Sequence, residues 1–281
     1  MKKVASIVLN NFKNDSRVLK EALTLKKNHY HVEVVALHED GLKEKEEFQG
    51  IKIHRIKLLT KNLSKKKPVQ LIKYLEYIIK AVKNNLDKDI IHCHDLNALP
   101  IGYVIKLFNR NVKVVYDAHE FETERNEKIN PLIHKLMIFL EKTTIKKADA
   151  VINVSESIAN EYTARYNVNP IVIYNCPSYQ NVQKTNIFRE KYKIPEDTLI
   201  FVYQGSLSPQ RALDKLLVSF KKFSINEAAM IFMGYGPLEE KIKKYALDYD
   251  NIFFQPAVSP ENVLKYTSSA DIGVSYIENN C

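Results

Sequence analysis

Cysteine is scarce in this sequence. Only three occur in 281 residues, Cys93, Cys176 and Cys281, and they lie far apart. An odd number with no CxxC spacing implies no disulfide framework and points to a reducing, cytoplasmic setting. Long apolar runs are also missing: none approaches the roughly 18 residues of a spanning helix. The start, MKKVASIVLNN, has too short an apolar core for a signal peptide and reads as a first β-strand. There is no low-complexity tract and no repeat of solenoid period. Together these absences exclude a disulfide-stapled secreted scaffold, an integral membrane protein of helical type and a repeat array.

What is present is ordinary globular material, 45% hydrophobic and 27% charged, with length enough for one large domain or two ordinary ones. The net charge of +9 favours acidic partners such as nucleotides, phosphorylated lipids or an anionic membrane surface. Much of the lysine is scattered, so part of this basicity is compositional. Aromatics do not interleave with the basic runs, which argues against a nucleic-acid partner.

Short apolar runs alternate with helical patterns. Val4 to Leu9 reads as a strand, and Val18, Leu19, Ala22 and Leu23 follow at helical spacing. The alternation continues through Ile171 to Tyr174. The segment NCPSYQNVQKTN then breaks it, and the rhythm restarts at Leu199. This predicts an α/β protein with two Rossmann-like, doubly wound domains, 1–175 and 176–281, facing each other across a cleft. Val69, Leu71, Ile72, Leu75, Ile78, Ile79 and Val82 form one stripe of a long helix. That stripe is expected to cover the sheet, with lysines such as Lys66, Lys73, Lys80 and Lys83 facing water. Contact of this basic helix with anionic lipid is the alternative.

Ligands of open parallel sheets gather beyond the carboxyl ends of the strands. Five turns there carry chemistry. In the first half, NNFKNDSR supplies Asp15 and Arg17. HCHDLN places His92 and His94 on one strand face, with Asp95 as the expected cap of the next helix. VVYDAHEFETE sets Asp117, His119 and Glu120 at a strand end. In the second half, QGSLSPQR combines Gly205, Ser206 and Arg211 at a helix start suited to an anion. The turn Gly234-Tyr235-Gly236 repeats the pattern one unit later, without the third glycine of a dinucleotide fingerprint or a GK[ST]. His92 and His94 have no partner pair at metal spacing, so no metal is expected.

These motifs together, with ADAVINVSESIANEY, VIYNCP, GYGPLEEKI and SADIGVSYIE, resemble the GT-B-fold glycosyltransferases of family 4 along essentially the whole chain. The resemblance implies a retaining transferase of hexosyl type, in the biosynthesis of capsule, lipopolysaccharide or exopolysaccharide. It implies an acceptor-binding N-terminal domain, with Asp15, Arg17 and His94 on that side, and a nucleotide-sugar-binding C-terminal domain. His119 matches the family histidine that touches the donor sugar, with Asp117 and Glu120 expected to position it or the acceptor. Arg211 and Gly205 match the diphosphate site, Gly234 and Gly236 the turn near the nucleotide, and Val258 the backbone that meets the base. Partners are then a nucleotide-diphosphate-sugar donor and a glycan or lipid-linked acceptor, and no cofactor is expected; peripheral contact with an anionic membrane, at the inner face of the plasma membrane, stays the alternative raised by the basic helix and the net charge. Ser206 stands where many relatives have a basic residue, and Ala212 where a glycine is usual. The sequence ends at Glu278-Asn279-Asn280-Cys281, where the family continues into its Glu-x7-Glu region, so a C-terminally truncated member is expected. A non-catalytic nucleotide-sugar or lipid-phosphate binding protein is the rival reading. A glycoside hydrolase is disfavoured because Glu120, Glu122 and Glu124 share one loop.

Overall fold

The computed structural model describes residues 1–13, 15–64, 66–124, 130–177 and 179–276. The chain divides into two compact units, Met1–Pro177 and Ser178–Cys281. The sequence expectation placed the division at 175/176.

The first unit holds β1 (Lys3–Ile7), α1 (Ser16–Lys27), β2 (His31–Leu37), β3 (Lys45–Phe48), β4 (Ile51–Ile56), α2 (Lys67–Asn84), β5 (Ile90–His94) and α3 (Leu99–Phe108). It continues with β6 (Lys113–Ala118), α4 (Pro131–Ile145), β7 (Ala150–Asn153), α5 (Glu156–Tyr166) and β8 (Ile171–Val172). The sheet order is β3-β4-β2-β1-β5-β6-β7-β8, and only the β3–β4 pair is antiparallel. β3, KEEF, was missed because a charged edge strand carries no apolar run.

Helix starts follow local chemistry. The Asp15 side chain accepts the Val18 amide at the head of α1, and Ser155 accepts that of Ile158 at α5. Strand alternation then sorts the two faces. Ala5, Ile7, Ile91, Cys93, Val114, Tyr116 and Val151 pack under α2 to α5. Val4, Val32, Val34, Ile51 and Ile53 pack against Val18 and Ala22 of α1. Ser6, His92 and Val115 are register partners, as are His94 and Asp117. The polar residues of β5 and β6 therefore share the α1 side of the sheet, just beyond the helix that covers it.

The stripe expected to bury α2 is a correction. Of its members Val82 is buried and Ile78 packs on the core beside Tyr77 and Ala81, whereas Leu71, Ile72, Leu75 and Ile79 are exposed. Tyr77 wins the inward position because its hydroxyl donates to the Val8 carbonyl at 2.8 Å, and Ala81 permits close approach. Lys73 and Lys80 donate to the backbone carbonyls of Lys61, Leu63 and Lys57 instead of standing free in water.

The second unit contains α6 (Ile187–Tyr192), β9 (Leu199–Ser206), α7 (Leu213–Phe220), β10 (Ala228–Tyr235), α8 (Glu239–Asp248), β11 (Ile252–Pro256), α9 (Pro260–Thr267) and β12 (Ile272–Gly273). Its parallel sheet runs β11-β10-β9-β12. One face packs on α7 and α8, the other on α6 and α9.

Candidate functional site

The polar centre of the first unit is built on three elements. α1 contributes Arg17 and, one turn later, Glu21. β5 contributes His92 and His94, and β6 contributes Asp117 and the turn with His119. Asp117 is fully buried and Arg17 nearly so, joined by Arg17 Nη2 to Asp117 Oδ1 at 2.7 Å. Arg17 Nε lies 3.1 Å from Glu21 Oε1. The His92 and His94 rings lie 4.2 Å apart, and His94 Nε2 meets Ser6 Oγ at 2.7 Å.

His119 is half-buried. Its backbone amide donates to Asp95 Oδ1 at 3.1 Å, and its Nε2 lies 3.1 Å from His94 Nδ1 and 3.4 Å from Asp117 Oδ2. Asp95 was expected to cap the next helix. Instead α3 has no side-chain cap, and Asp95, at a left-handed φ of 63°, turns its carboxylate toward the His119 turn. That conformation suits Asp and Asn among non-glycine residues.

The environment sets the charges. Burial opposes a charge on Asp117, but its contacts with His119, His92 and His94 hold it well below the usual carboxylate range. Burial, reinforced by His92, drives His94 down to about 3, so its ring is neutral. Burial and the Asp117 charge push Glu21 up to about 8, against the pull of Arg17. Burial alone would lower His119, yet Asp117 and Asp95 raise it, which favours the ring as a hydrogen-bond donor.

His119 opens on two cavities at the carboxyl ends of the strands. One of about 540 Å³ is lined by Asn10, Lys13, Asp15, Arg17 and Glu120. The other, of about 380 Å³, adds His94, Asp95 and Glu122. Asp15, Arg17, His94, Asp117, His119 and Glu120 are thus brought together, with Glu120 exposed on the rim. Glu21 and Ser6 were missed. Glu21 looks like one more acidic residue of a solvated helix face, and the sole hint was its i,i+4 spacing from Arg17. The expectation of no metal rested on the lack of partners for His92 and His94. The fold supplies two, since donor atoms of Glu21, His92, His94 and Asp117 all lie within 4.8 Å of one another.

In the second unit the predicted residues collect at one sheet edge. Gly205 and Gly234 are register partners at the ends of β9 and β10. A Cβ on Gly234 would stand 1.9 Å from the Gly205 carbonyl oxygen, and one on Gly236 2.6 Å from that of Leu207. Close passage of two turns, not ligand contact, is sufficient reason for both glycines. Arg211 is exposed and makes no ion pair among the described residues. It does not open a continuous helix: Pro209–Arg211 is a 3-10 turn, Ala212 is left-handed at φ 50°, and α7 starts afterwards. Ser206 is exposed at the end of β9, and Val258 packs its side chain on the α6/α9 core. Glu278 lies outside the described residues.

Comparison with known proteins bears on the fold and the family. An uncharacterized glycosyltransferase of Bacillus subtilis strain 168, YqgM, is 24% identical over 202 residues, covering 69% of this chain and 54% of YqgM. The chain therefore spans about half the length of that curated relative. Among solved structures, sucrose-phosphate synthase of Thermosynechococcus elongatus superposes with a TM-score of 0.71 at 15% identity, covering 98% of this chain and 75% of that one. Anabaena HepE, solved in complex with UDP and glucose, gives 0.69 at 13%, covering 99% and 74%. These likenesses show the GT-B fold. The family model for Glycosyl transferases group 1 matches residues 184–276. The model for Glycosyltransferase Family 4 matches residues 16–176, more than half the sequence, and the chain belongs to that family.

Proposed function

We propose that the protein moves a hexosyl group from a nucleotide-diphosphate sugar to a glycan or lipid-linked acceptor, with retention, in surface polysaccharide synthesis. The observation that carries this is His119: a half-buried ring fixed by Asp95 and Asp117 and open to both strand-end cavities. As a hydrogen-bond donor it orients a hydroxyl of the donor sugar at the reacting carbon. Asp117 sets the ring, and Glu120 with Asp15 and Arg17 faces the acceptor. Diphosphate charge is met by Arg211 and by backbone amides of the turns at Gly205 and Gly234, without a cation at that position. Ser206 adds a hydroxyl there, and the backbone at Val258 meets the base.

UDP-glucose is the first donor to try, because HepE was also solved with it. His119→Ala is expected to cut glucosyl transfer to acceptor, read as UDP released, by at least about a hundredfold while calorimetric binding of UDP-glucose persists. Turnover unchanged in that variant refutes the role. Binding without any UDP release by the parent chain favours the rival, a non-catalytic nucleotide-sugar binding protein.

Peripheral contact with an anionic membrane belongs to the same proposal. No helix among the described residues is long and apolar enough to cross a bilayer. Exposed Leu71, Leu75 and Ile79 on α2, and Leu132, Leu136 and Phe139 on α4, give two helices an outward apolar stripe. Exposed lysines Lys66, Lys83, Lys135 and Lys142 accompany them, as interfacial docking requires.

A further inference from the structure

We infer that Glu21, His92, His94 and Asp117 form a binding site for one divalent first-row transition cation, zinc foremost. The donors are Glu21 Oε2, His92 Nε2, His94 Nδ1 and Asp117 Oδ2. The four histidine-to-carboxylate separations are 3.8, 3.8, 3.7 and 3.6 Å. Tetrahedral ligands at zinc distances stand about 3.4 Å apart, so these edges need to close by only a few tenths of an ångström. The remaining edges are no longer than 4.8 Å.

Three of these atoms have no hydrogen bond of good geometry, the nearest donor to Asp117 Oδ2 being His119 Nε2 at 3.4 Å. Glu21 Oε2, His92 Nε2 and Asp117 Oδ2 are buried and make no hydrogen bond, on residues of which His92 is 7% exposed and Asp117 0%. Orphaned buried acceptors are costly, and three converging on one point is an arrangement a cation resolves. The opposite atoms are already engaged. Arg17 takes Glu21 Oε1 and Asp117 Oδ1, and Ser6 Oγ holds His94 Nε2, fixing that ring with Nδ1 inward. This is the outer layer of hydrogen bonds that metal ligands use. Two imidazoles with two carboxylates favour zinc, with iron and manganese next, over calcium or magnesium. The Arg17 guanidinium and the His119 ring oppose a dication, and the ion must displace the proton that burial favours on Glu21, after which two carboxylates face it. An entry path exists: a cavity of about 460 Å³ lined by Lys20 and Thr24 of α1 and by Tyr174 reaches Glu21 and His92.

Four protein ligands from α1, β5 and β6 make a closed, structural site. It would clamp the helix and two strands beneath the His119 turn. His94 Nδ1 now faces His119 Nε2 at 3.1 Å. It cannot serve both, so filling the site releases His119 Nε2 toward the cavities. The site is separate from the diphosphate turns of the second unit, and its failure leaves the transferase reading intact.

The test uses the full chain, stripped with a chelator and titrated with zinc and, separately, with cobalt(II). One equivalent is expected to bind, to raise the Tm, and with cobalt to give the visible bands of a low-coordinate nitrogen and oxygen site. Glu21→Gln and His92→Gln, each verified as folded by circular dichroism, should weaken zinc by about tenfold or more. Absence of stoichiometric binding by the folded parent chain overturns the inference. So does equal affinity in parent and both variants, which would place the ion elsewhere on the surface.

Discussion

Replacing Arg17 with methionine removes the charge that Asp117 is folded around while keeping much of the side chain's volume. Asp117 is 0% exposed and Arg17 6%, and their contact is 2.7 Å. Removing one partner of a buried pair costs about 3–5 kcal/mol, because the other charge is left uncompensated. The Glu21 contact adds little at neutral pH, since that carboxyl, pushed up to about 8, is largely protonated. The three histidines around Asp117 offer partial relief, which points to the lower end, about 3 kcal/mol. At roughly 2–4 °C per kcal/mol for a unit of this size, the first unit should melt about 6–12 °C earlier. The measurement is urea and thermal unfolding by far-UV circular dichroism, in chelator-containing buffer so that no cation substitutes for the lost charge. A cycle with Asp117→Asn isolates the pair: the double variant should be more stable than the sum of single costs by about 2 kcal/mol. A cost below about 1 kcal/mol for Arg17→Met, or a coupling near zero, would refute the view of this pair as the keystone of the site.

Gly234→Ala should destabilise the second unit by about 1–3 kcal/mol and weaken UDP-glucose binding, because its Cβ meets the Gly205 carbonyl at 1.9 Å. Gly205→Ala, whose Cβ comes no closer than 3.4 Å to the Tyr203 hydroxyl, should be milder, and thermal shift with calorimetry ranks the two. Glu141 is fully buried and accepts hydroxyls from Tyr116, Tyr162 and Tyr166 at 2.6, 2.7 and 2.5 Å. Glu141→Ala should therefore cost about 3–5 kcal/mol, against about 1–2 for Tyr166→Phe, as read by denaturant midpoints. Leu75→Glu with Ile79→Glu, both on exposed positions, should change stability by no more than about 0.5 kcal/mol each yet reduce sedimentation with anionic vesicles.

The parts of the site that lie within one strand or one turn were legible in the sequence. Period-two alternation put His92 and His94 on one face, and a buried run ending in Asp117 put His119 at a sheet edge. What joined them was not legible, because it depends on strand order. β1 sits between β2 and β5, so α1, crossing from β1 to β2, delivers Arg17 and Glu21 beside a strand nearly seventy residues later. No local spacing encodes that meeting, and in the sequence Glu21 is indistinguishable from any other acidic residue of a helix face. Misread chemistry follows the same rule. Asp95 has the sequence signature of a cap, but the neighbouring β6 turn offers it the His119 amide, and that tertiary partner prevails. Leu71, Leu75 and Ile79 have higher hydropathy than Tyr77 and Ala81, but the hydroxyl-to-Val8 bond and the small alanine decide which face turns inward. Ala212 is the instructive exception. The sequence showed alanine at a position where the resemblance leads one to expect glycine, and the structure supplies the reason a glycine would suit it: Ala212 is left-handed, at φ 50°, and separates Arg211 from α7. A departure from a family pattern at a single position is thus informative when the physical demand at that position is local, and the demand on Ala212 is a φ angle. The demand on Glu21 is a distance across three elements, and only the assembled sheet could state it.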